Sequence, residues 1–381
     1  MMREYIEKDF DAMLGMLEEL VNIDSGSYNK EGIDQVGHVL KNKYEELGYL
    51  ITEKEIQSFG NNLVIRHKEA VKPEILIVAH MDTVFPEGTA KERPFTIADG
   101  KAYGPGVIDM KSSLVMLYFS LKALIENNIS GYENVEIVLN SDEEIGTESS
   151  RELIENAAED KKCVLVLEPA REDGSIVSAR RGMGYYSLKV KGKGAHSGID
   201  PESGISAIEE LAHKIIDLQA LSEPEENLNV NVGLIKGGTS VNTVAPAAEA
   251  EIDVRISTVN QGKIIDEKIK KIGSKTTIKG TILDLTGGIN RPPMEFNEGV
   301  QTLVKIIQHE GKKLGLDIKH TATGGGSDAS FTAAMNVPTV DGMGPVGGKQ
   351  HSKDEYLLVD SFKERTILFI NVLKYLSKPT K

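Results

Sequence analysis

The chain has one cysteine, no tryptophan and no long apolar run. A single thiol, Cys163, excludes an intramolecular disulfide, suits a reducing compartment and leaves too little sulfur for a thiolate zinc site. Any metal must therefore be held by His, Asp and Glu. No stretch approaches the ~18 to 20 apolar residues of a membrane span. The N-terminal MMREYIEKDFDAMLGMLEELVNI alternates apolar and acidic residues at helical spacing. It lacks the basic and continuous apolar regions of a secretory signal, so a cytoplasmic protein is expected. Positive charge is also short: 44 Lys and Arg against 58 Asp and Glu give a net charge of -14. That balance repels phosphate backbones and anionic lipid, so neither nucleic acid nor a membrane is expected as a partner.

What is present is a chain of 381 residues with a hydrophobic fraction of 40%, enough for a large core and two domains. The runs ILIVAH (75–80), VEIVLN (135–140) and CVLVLEP (163–169) are too short for helices and too uniformly apolar for half-exposed strands. They predict strands buried on both faces, with helices over 111–128 and 148–160 between them. From about residue 176 the pattern changes to strand, helix, strand, strand, helix, strand, the layout of a ferredoxin-like sandwich. The paired prolines of NRPP (290–293) end this insertion. The expectation is a doubly wound, mixed-sheet α/β domain (1–176 and 293–381) interrupted by a βαββαβ domain (177–292).

Ligands of open α/β sheets bind beyond the carboxyl ends of the strands. The first run ends at His80 and Asp82, the second at Asp142, Glu143 and Glu144, the third at Glu168. Asp109 stands in the glycine-rich loop YGPGVIDMKSS, and His351 in another, GPVGGKQHSKDEY. Any one of these is ordinarily a helix cap or a solvated turn. Together at successive strand ends they would repel one another unless a cation compensated them. Two imidazoles and several carboxylates make an N and O set that zinc accepts. Asp82 is placed to orient a metal-bound His80. Asp142 stays open between cap and site, and Thr147 or Ser149 is expected to cap the following helix. His38, His67, His213, His309 and His320 have no partner pattern and read as surface or packing residues, and Cys163 as a small buried hydrophobe.

The motifs VAHMDTVFP, YGPGVIDMKSS, DEEIGT, VLEPA, GAHSG, GGTSVNTVAPAAEAEIDVR, TGGGSDA and QHSKDEY come in one order along nearly the whole chain. In this the sequence resembles the di-zinc exopeptidases and deacylases: glutamate carboxypeptidase, aminoacylase, acetylornithine deacetylase and succinyl-diaminopimelate desuccinylase. The resemblance is nearest to glutamate carboxypeptidase. It implies two zinc ions bridged by Asp109, with His80 and Glu168 completing one site and Glu144 and His351 the other; cobalt or manganese could substitute. It further implies Asp82 as orienter, Glu143 as general base and a cis peptide between Asp109 and Met110. His196 would stabilise the oxyanion across a homodimer formed by the inserted lid domain. Asn242, Arg255, Arg291 and the glycines around Gly325 would recognise a substrate carboxylate.

Glu168, where the dipeptidase and aminotripeptidase branches tend to carry Asp, tilts the expectation towards a peptide or N-acyl amino acid read by its C-terminal carboxylate. Aminopeptidase, dipeptidase or tripeptidase activity is the alternative within that family. A catalytically silent binding protein is the alternative outside it, though it would have no use for Glu143 beside a ligand. A nucleotide enzyme is disfavoured, because neither glycine-rich loop fits G-x-x-x-x-G-K-[ST].

Overall fold

Strands Ile75–His80, Val135–Asn140 and Cys163–Val166 contain no exposed residue, as strands covered on both faces require. In the computed structural model, which describes residues 2–378, they form the middle of a six-stranded sheet. Its order is Tyr49–Lys54, Asn62–His67, Val135–Asn140, Ile75–His80, Cys163–Val166, Thr339–Val340. The first two junctions are antiparallel and the rest parallel, so the sheet is mixed.

Helix Ser112–Glu126 is buried at every residue from Ser112 to Leu121, the signature of an interior helix. It shares one apolar core with helices Met2–Val21, Lys30–Glu46 and Val359–Leu376. A small antiparallel sheet then joins distant parts of the chain, pairing Lys101–Tyr103 with Tyr356–Leu358. This pairing brings the loop after Tyr103 beside the loop before Tyr356.

The chain divides into two units. The first comprises the residues up to Ala179, Phe296–Thr323 and the residues from Ser327 onward; the second comprises Arg180–Glu295 with Gly324–Gly326. The boundaries lie a few residues after those expected. The second unit is a four-stranded antiparallel sheet, ordered Asn229–Gly237, Ala247–Ile256, Gly182–Lys191, Ile282–Arg291. In chain order the fourth strand lies beside the first and the third beside the second, which is the ferredoxin-like arrangement. Alternating side chains of Gly182–Lys191 and Ala247–Ile256 are buried with Ile265 and Ile269 of helix Val259–Ser274 and Leu211 and Leu218 of helix Ala207–Gln219. Period-two burial marks a sheet with one covered face. Among the described residues no helix is long and apolar enough to cross a membrane.

Candidate metal centre

Register gathers the acidic and imidazole groups. His80 pairs with Asn140 in parallel, and Val78 with Val166. Two residues further on, Asp82 meets the 142–144 turn, and Glu168 comes level with His80. Asp109 is delivered differently. Gly104 and Gly106 take positive φ, and a Cβ on Gly106 would lie 2.5 Å from Thr83 Cγ2, so glycine permits a turn there that other residues would block. The Asp109–Met110 peptide is cis, as the resemblance implies. His351 enters on the loop before Tyr356, itself at a positive φ of 60°.

Asp109 faces both imidazoles. Its Oδ1 lies 3.3 Å from His80 Nε2 and its Oδ2 3.3 Å from His351 Nε2. Glu168 Oε1 is 3.6 Å from His80 Nε2, and Glu144 Oε2 is 3.2 Å from His351 Nε2. The result is two imidazole and carboxylate clusters sharing one aspartate. Ligand atoms of His80, Asp109 and Glu144 lie within 4.8 Å of one another, and so do those of His80, Glu143 and Glu168. Glu143 is therefore close enough to meet either a cation or a proton at the first cluster.

The backbone carbonyl of Asp82 accepts from His80 Nδ1 at 2.9 Å. That bond requires a proton on Nδ1, so the neutral ring would turn its Nε2 lone pair towards the carboxylates, as a metal ligand must. The Asp82 carboxylate lies 3.4 Å from the same Nδ1. It also accepts the backbone N–H of Glu143 and of Glu144, each at 3.2 Å, and the Ser27 hydroxyl at 2.7 Å. Asp82 thus fixes the ring and the acidic turn together.

The electrostatics describe a site built for cations. Burial raises Glu168 well above the usual carboxylate range, helped by the charge of Asp109. Burial raises Glu144 too, against its bond to His351. Burial alone would favour neutral His80, but Asp109, Asp82 and Glu168 outweigh it and hold the pKa well above the ordinary value. Bonds to Asp109 and Glu144 raise His351 to about 10. Asp109 is lowered, the bonds from His351 and His80 exceeding its burial. In the protein alone, then, the imidazoles answer the negative charge. Even so, His80 Nε2 and Asp109 Oδ1, 3.3 Å apart, make no well-aligned hydrogen bond, and buried Glu144 Oε1 has no partner, where such atoms normally have one. Unbonded N and O donors converging on one volume fit divalent cations of the zinc, cobalt or manganese type.

Comparison with known proteins agrees with this donor set. The sequence pattern described as Peptidase family M20/M25/M40 matches residues 76–375. The chain belongs to that family. It is 28% identical over 362 residues to carboxypeptidase G2 of Pseudomonas sp. (strain RS-16), covering 93% of this chain and 86% of that one. It is 26% identical over 386 residues to succinyl-diaminopimelate desuccinylase of Rickettsia bellii (strain RML369-C), covering 94% and 95%. The crystal structure of aminopeptidase PepT from Bacillus cereus ATCC 10987 superposes with a TM-score of 0.83 at 23% identity, covering 97% of this chain and 99% of that one. That likeness speaks for the fold. Membership makes the chain a hydrolase of the metallopeptidase and amidohydrolase kind.

The remaining expected site residues of this M20/M25/M40 peptidase lie in the second unit. Arg255 and Arg291 pair with Met183 from opposite sides, which puts them in one row across the sheet. Arg255 Nε bonds Asp253 at 2.9 Å, and Arg291 is buried against Gly326. Exposed His196 bridges to Thr243, and Ser197 N–H bonds the Asn242 carbonyl at 3.0 Å, so His196 and Asn242 are neighbours.

Three contributions were missed from sequence. Buried Glu355 accepts the backbone N–H groups of Gly106 at 3.0 Å, Ile108 at 2.9 Å and Asp109 at 3.0 Å. Burial pushes its carboxyl up to about 7 in spite of them. Ser27 supports Asp82 from a loop that carries no recognisable motif. Arg180 donates to the carbonyls of Gly325 at 3.0 Å and Gly326 at 3.1 Å, which ties that glycine turn to the second unit. One expectation is corrected. Helix Arg151–Ala158 begins later than 148, and neither Thr147 nor Ser149 caps it. The Asp142 carboxylate instead takes the Ser149 N–H at 2.6 Å and the Ser150 hydroxyl, while Thr147 donates to Asp328 at 2.6 Å.

Proposed function

We propose that this chain hydrolyses a peptide or N-acyl amide bond next to a free C-terminal carboxylate, with two zinc-type ions per chain and Glu143 as general base. The observation that carries the reading is the sharing of Asp109 between two clusters with Glu143 beside them. His80, Asp109 and Glu168 would hold one cation, and Asp109, Glu144 and His351 the other. Bound cations would polarise the scissile carbonyl and acidify water. Glu143, pinned through its backbone N–H to Asp82, takes the proton of the attacking water and passes it to the leaving amine nitrogen. Asn242, Arg255, Arg291 and Gly325 recognise the substrate carboxylate, for which the guanidinium fork is suited.

His196 is assigned as a donor to the oxyanion, acting from the partner in a homodimer formed by the second unit. Supporting the dimer, Asn229–Gly237 is an edge strand whose Leu234 and Ile235 are 65% and 64% exposed, and helix Ala207–Gln219, which packs on that strand, exposes Ile208 and Ile216. An uncovered apolar sheet edge is a ready pairing surface. We place the enzyme in the cytoplasm, where a lone, buried Cys163 stays reduced.

The test is a division of labour. Glu143→Ala is expected to retain metal and lose most turnover, whereas Glu144→Ala loses metal; equal metal loss in both would refute the assignment. Dipeptides, tripeptides and N-acyl amino acids, assayed with zinc and cobalt, distinguish recognition of the carboxylate from recognition of the amine. No hydrolysis of any of them, with less than one ion bound per chain, would overturn the enzymatic reading. Mixing Glu143→Ala with His196→Ala chains restores activity if His196 acts in trans.

A further inference from the structure

The residues assigned to the substrate carboxylate belong to the second unit. The acyl half of the scissile amide needs walls of its own. A cleft of about 550 Å³ opens in the first unit between residues 26–30 and 83–87, and Glu144 and Ile145 form part of its lining. This volume falls within the ordinary range for small-molecule sites. Because Glu144 belongs both to the cleft and to the metal centre, the two are continuous.

The walls are held rigidly. The Thr83 N–H donates to the Ser25 carbonyl at 2.8 Å, and the Thr83 carbonyl accepts the Ser27 N–H at 3.1 Å. A Cβ on Gly26 would lie 2.4 Å from the Phe85 carbonyl oxygen, so only glycine lets the two segments approach this closely. Asp24 accepts the N–H groups of Gly88 at 2.8 Å and Ala90 at 2.7 Å, fixing the far end of the 83–87 segment. A pre-formed cleft of this kind selects by shape.

Its surface chemistry is apolar and anionic. Tyr28, Val84, Phe85 and Ile145 supply the apolar walls. Lys30, the cation among them, is held by Asn61 at 2.7 Å and Asp34 at 3.0 Å. Asn29 is engaged in capping helix Lys30–Glu46. With Glu144 assigned to a cation, the charge left facing the cleft is that of Glu87. A carboxylate-bearing acyl chain would meet the like charge of Glu87 and no unpaired cationic side chain in the walls, whereas an aryl or long alkyl group would meet rings and aliphatic carbons.

We propose that this cleft binds the acyl side of the scissile amide and selects bulky, uncharged and preferably aromatic acyl groups over anionic ones. The proposal rests on the hydrolase reading above. It is tested with N-acetyl, N-hexanoyl, N-phenylacetyl and N-succinyl derivatives of one amino acid. On the zinc-loaded enzyme, kcat/KM rises about tenfold or more from acetyl to phenylacetyl, and succinyl falls below acetyl. Val84→Trp, which narrows the cleft, reduces kcat/KM for phenylacetyl at least about tenfold more than for acetyl. Glu87→Lys raises the succinyl to phenylacetyl ratio by about tenfold. Calorimetry on Glu143→Ala gives a second readout, in which phenylacetate binds more tightly than succinate. Hydrolysis at rates independent of acyl size and charge, with Val84→Trp lowering all substrates equally, overturns the cleft assignment alone. Failure to cleave any member of the series overturns the hydrolase reading with it.

Discussion

Glu355 stands 246 residues beyond Asp109, yet its carboxylate accepts the backbone N–H of that aspartate at 3.0 Å. Two more N–H groups of the same loop, from Gly106 and Ile108, converge on it. The loop has non-helical backbone at Asp109, so its amides lack the partners a helix would give them, and a buried amide without a partner is costly. Glu355 supplies those partners and so aims the shared Asp109 side chain. Glu355→Gln keeps the shape but turns one acceptor into a donor facing an N–H. The metal-free protein is expected to lose about 1 to 3 kcal/mol and the variant to bind zinc more weakly. Thermal unfolding and a zinc titration measure both, and no change in either would mean that the loop holds itself.

Asp82 is expected to act on metal affinity without touching the metal. Its carboxylate holds the N–H of Glu143 and of Glu144 and lies near His80 Nδ1, so one side chain positions the imidazole ligand and the acidic turn. Asp82→Asn retains one acceptor oxygen and removes the charge that makes His80 a stronger donor. Zinc affinity should drop by about 10- to 100-fold, measured by competition with a chromogenic chelator. Unaltered affinity would leave Asp82 a purely structural residue.

Asp142 separates structure from chemistry within the acidic triplet. Fully buried, it accepts the Ser149 N–H and the Ser150 hydroxyl at the entrance to helix Arg151–Ala158. Asp142→Ala leaves both donors without a partner, at a cost of about 1 to 3 kcal/mol. The melting temperature should fall while each folded chain still binds its full complement of zinc. A loss of zinc at full stability would instead make Asp142 part of the metal centre.

These residues also mark what was legible in the sequence. The central strands were readable because burial on both faces gives an unbroken apolar run, and a parallel register then brings their carboxyl ends to one edge. His80, Glu144 and Glu168 follow from that geometry. The contribution of Glu355 depends on the pairing of Lys101–Tyr103 with Tyr356–Leu358, a contact between distant segments that leaves no periodic trace. Arg180 was hidden for a similar reason, since it reaches backbone carbonyls of a glycine turn. The late start of helix Arg151–Ala158 reflects competition. Asp142 and Asp328 draw the 147–150 donors out of helical geometry, and tertiary partners outweigh local propensity.

Cys163 gives a pH prediction remote from the metal centre. It lies in a wholly buried strand, and burial pushes its thiol from the usual 9 up to about 12. Between those values the unfolded chain has released the proton and the folded chain keeps it. The unfolded state then binds fewer protons, so stability falls as pH rises above about 9. By pH 11 the loss from this group alone is roughly 2 to 3 kcal/mol. Denaturant titrations at pH 8 and 11 should therefore differ by less in Cys163→Ala, which has no thiol to titrate, than in the native chain. A thiol reagent at pH 8 should label Cys163 only as fast as the protein opens, and immediate labelling of the folded protein would show that this strand is not closed to solvent.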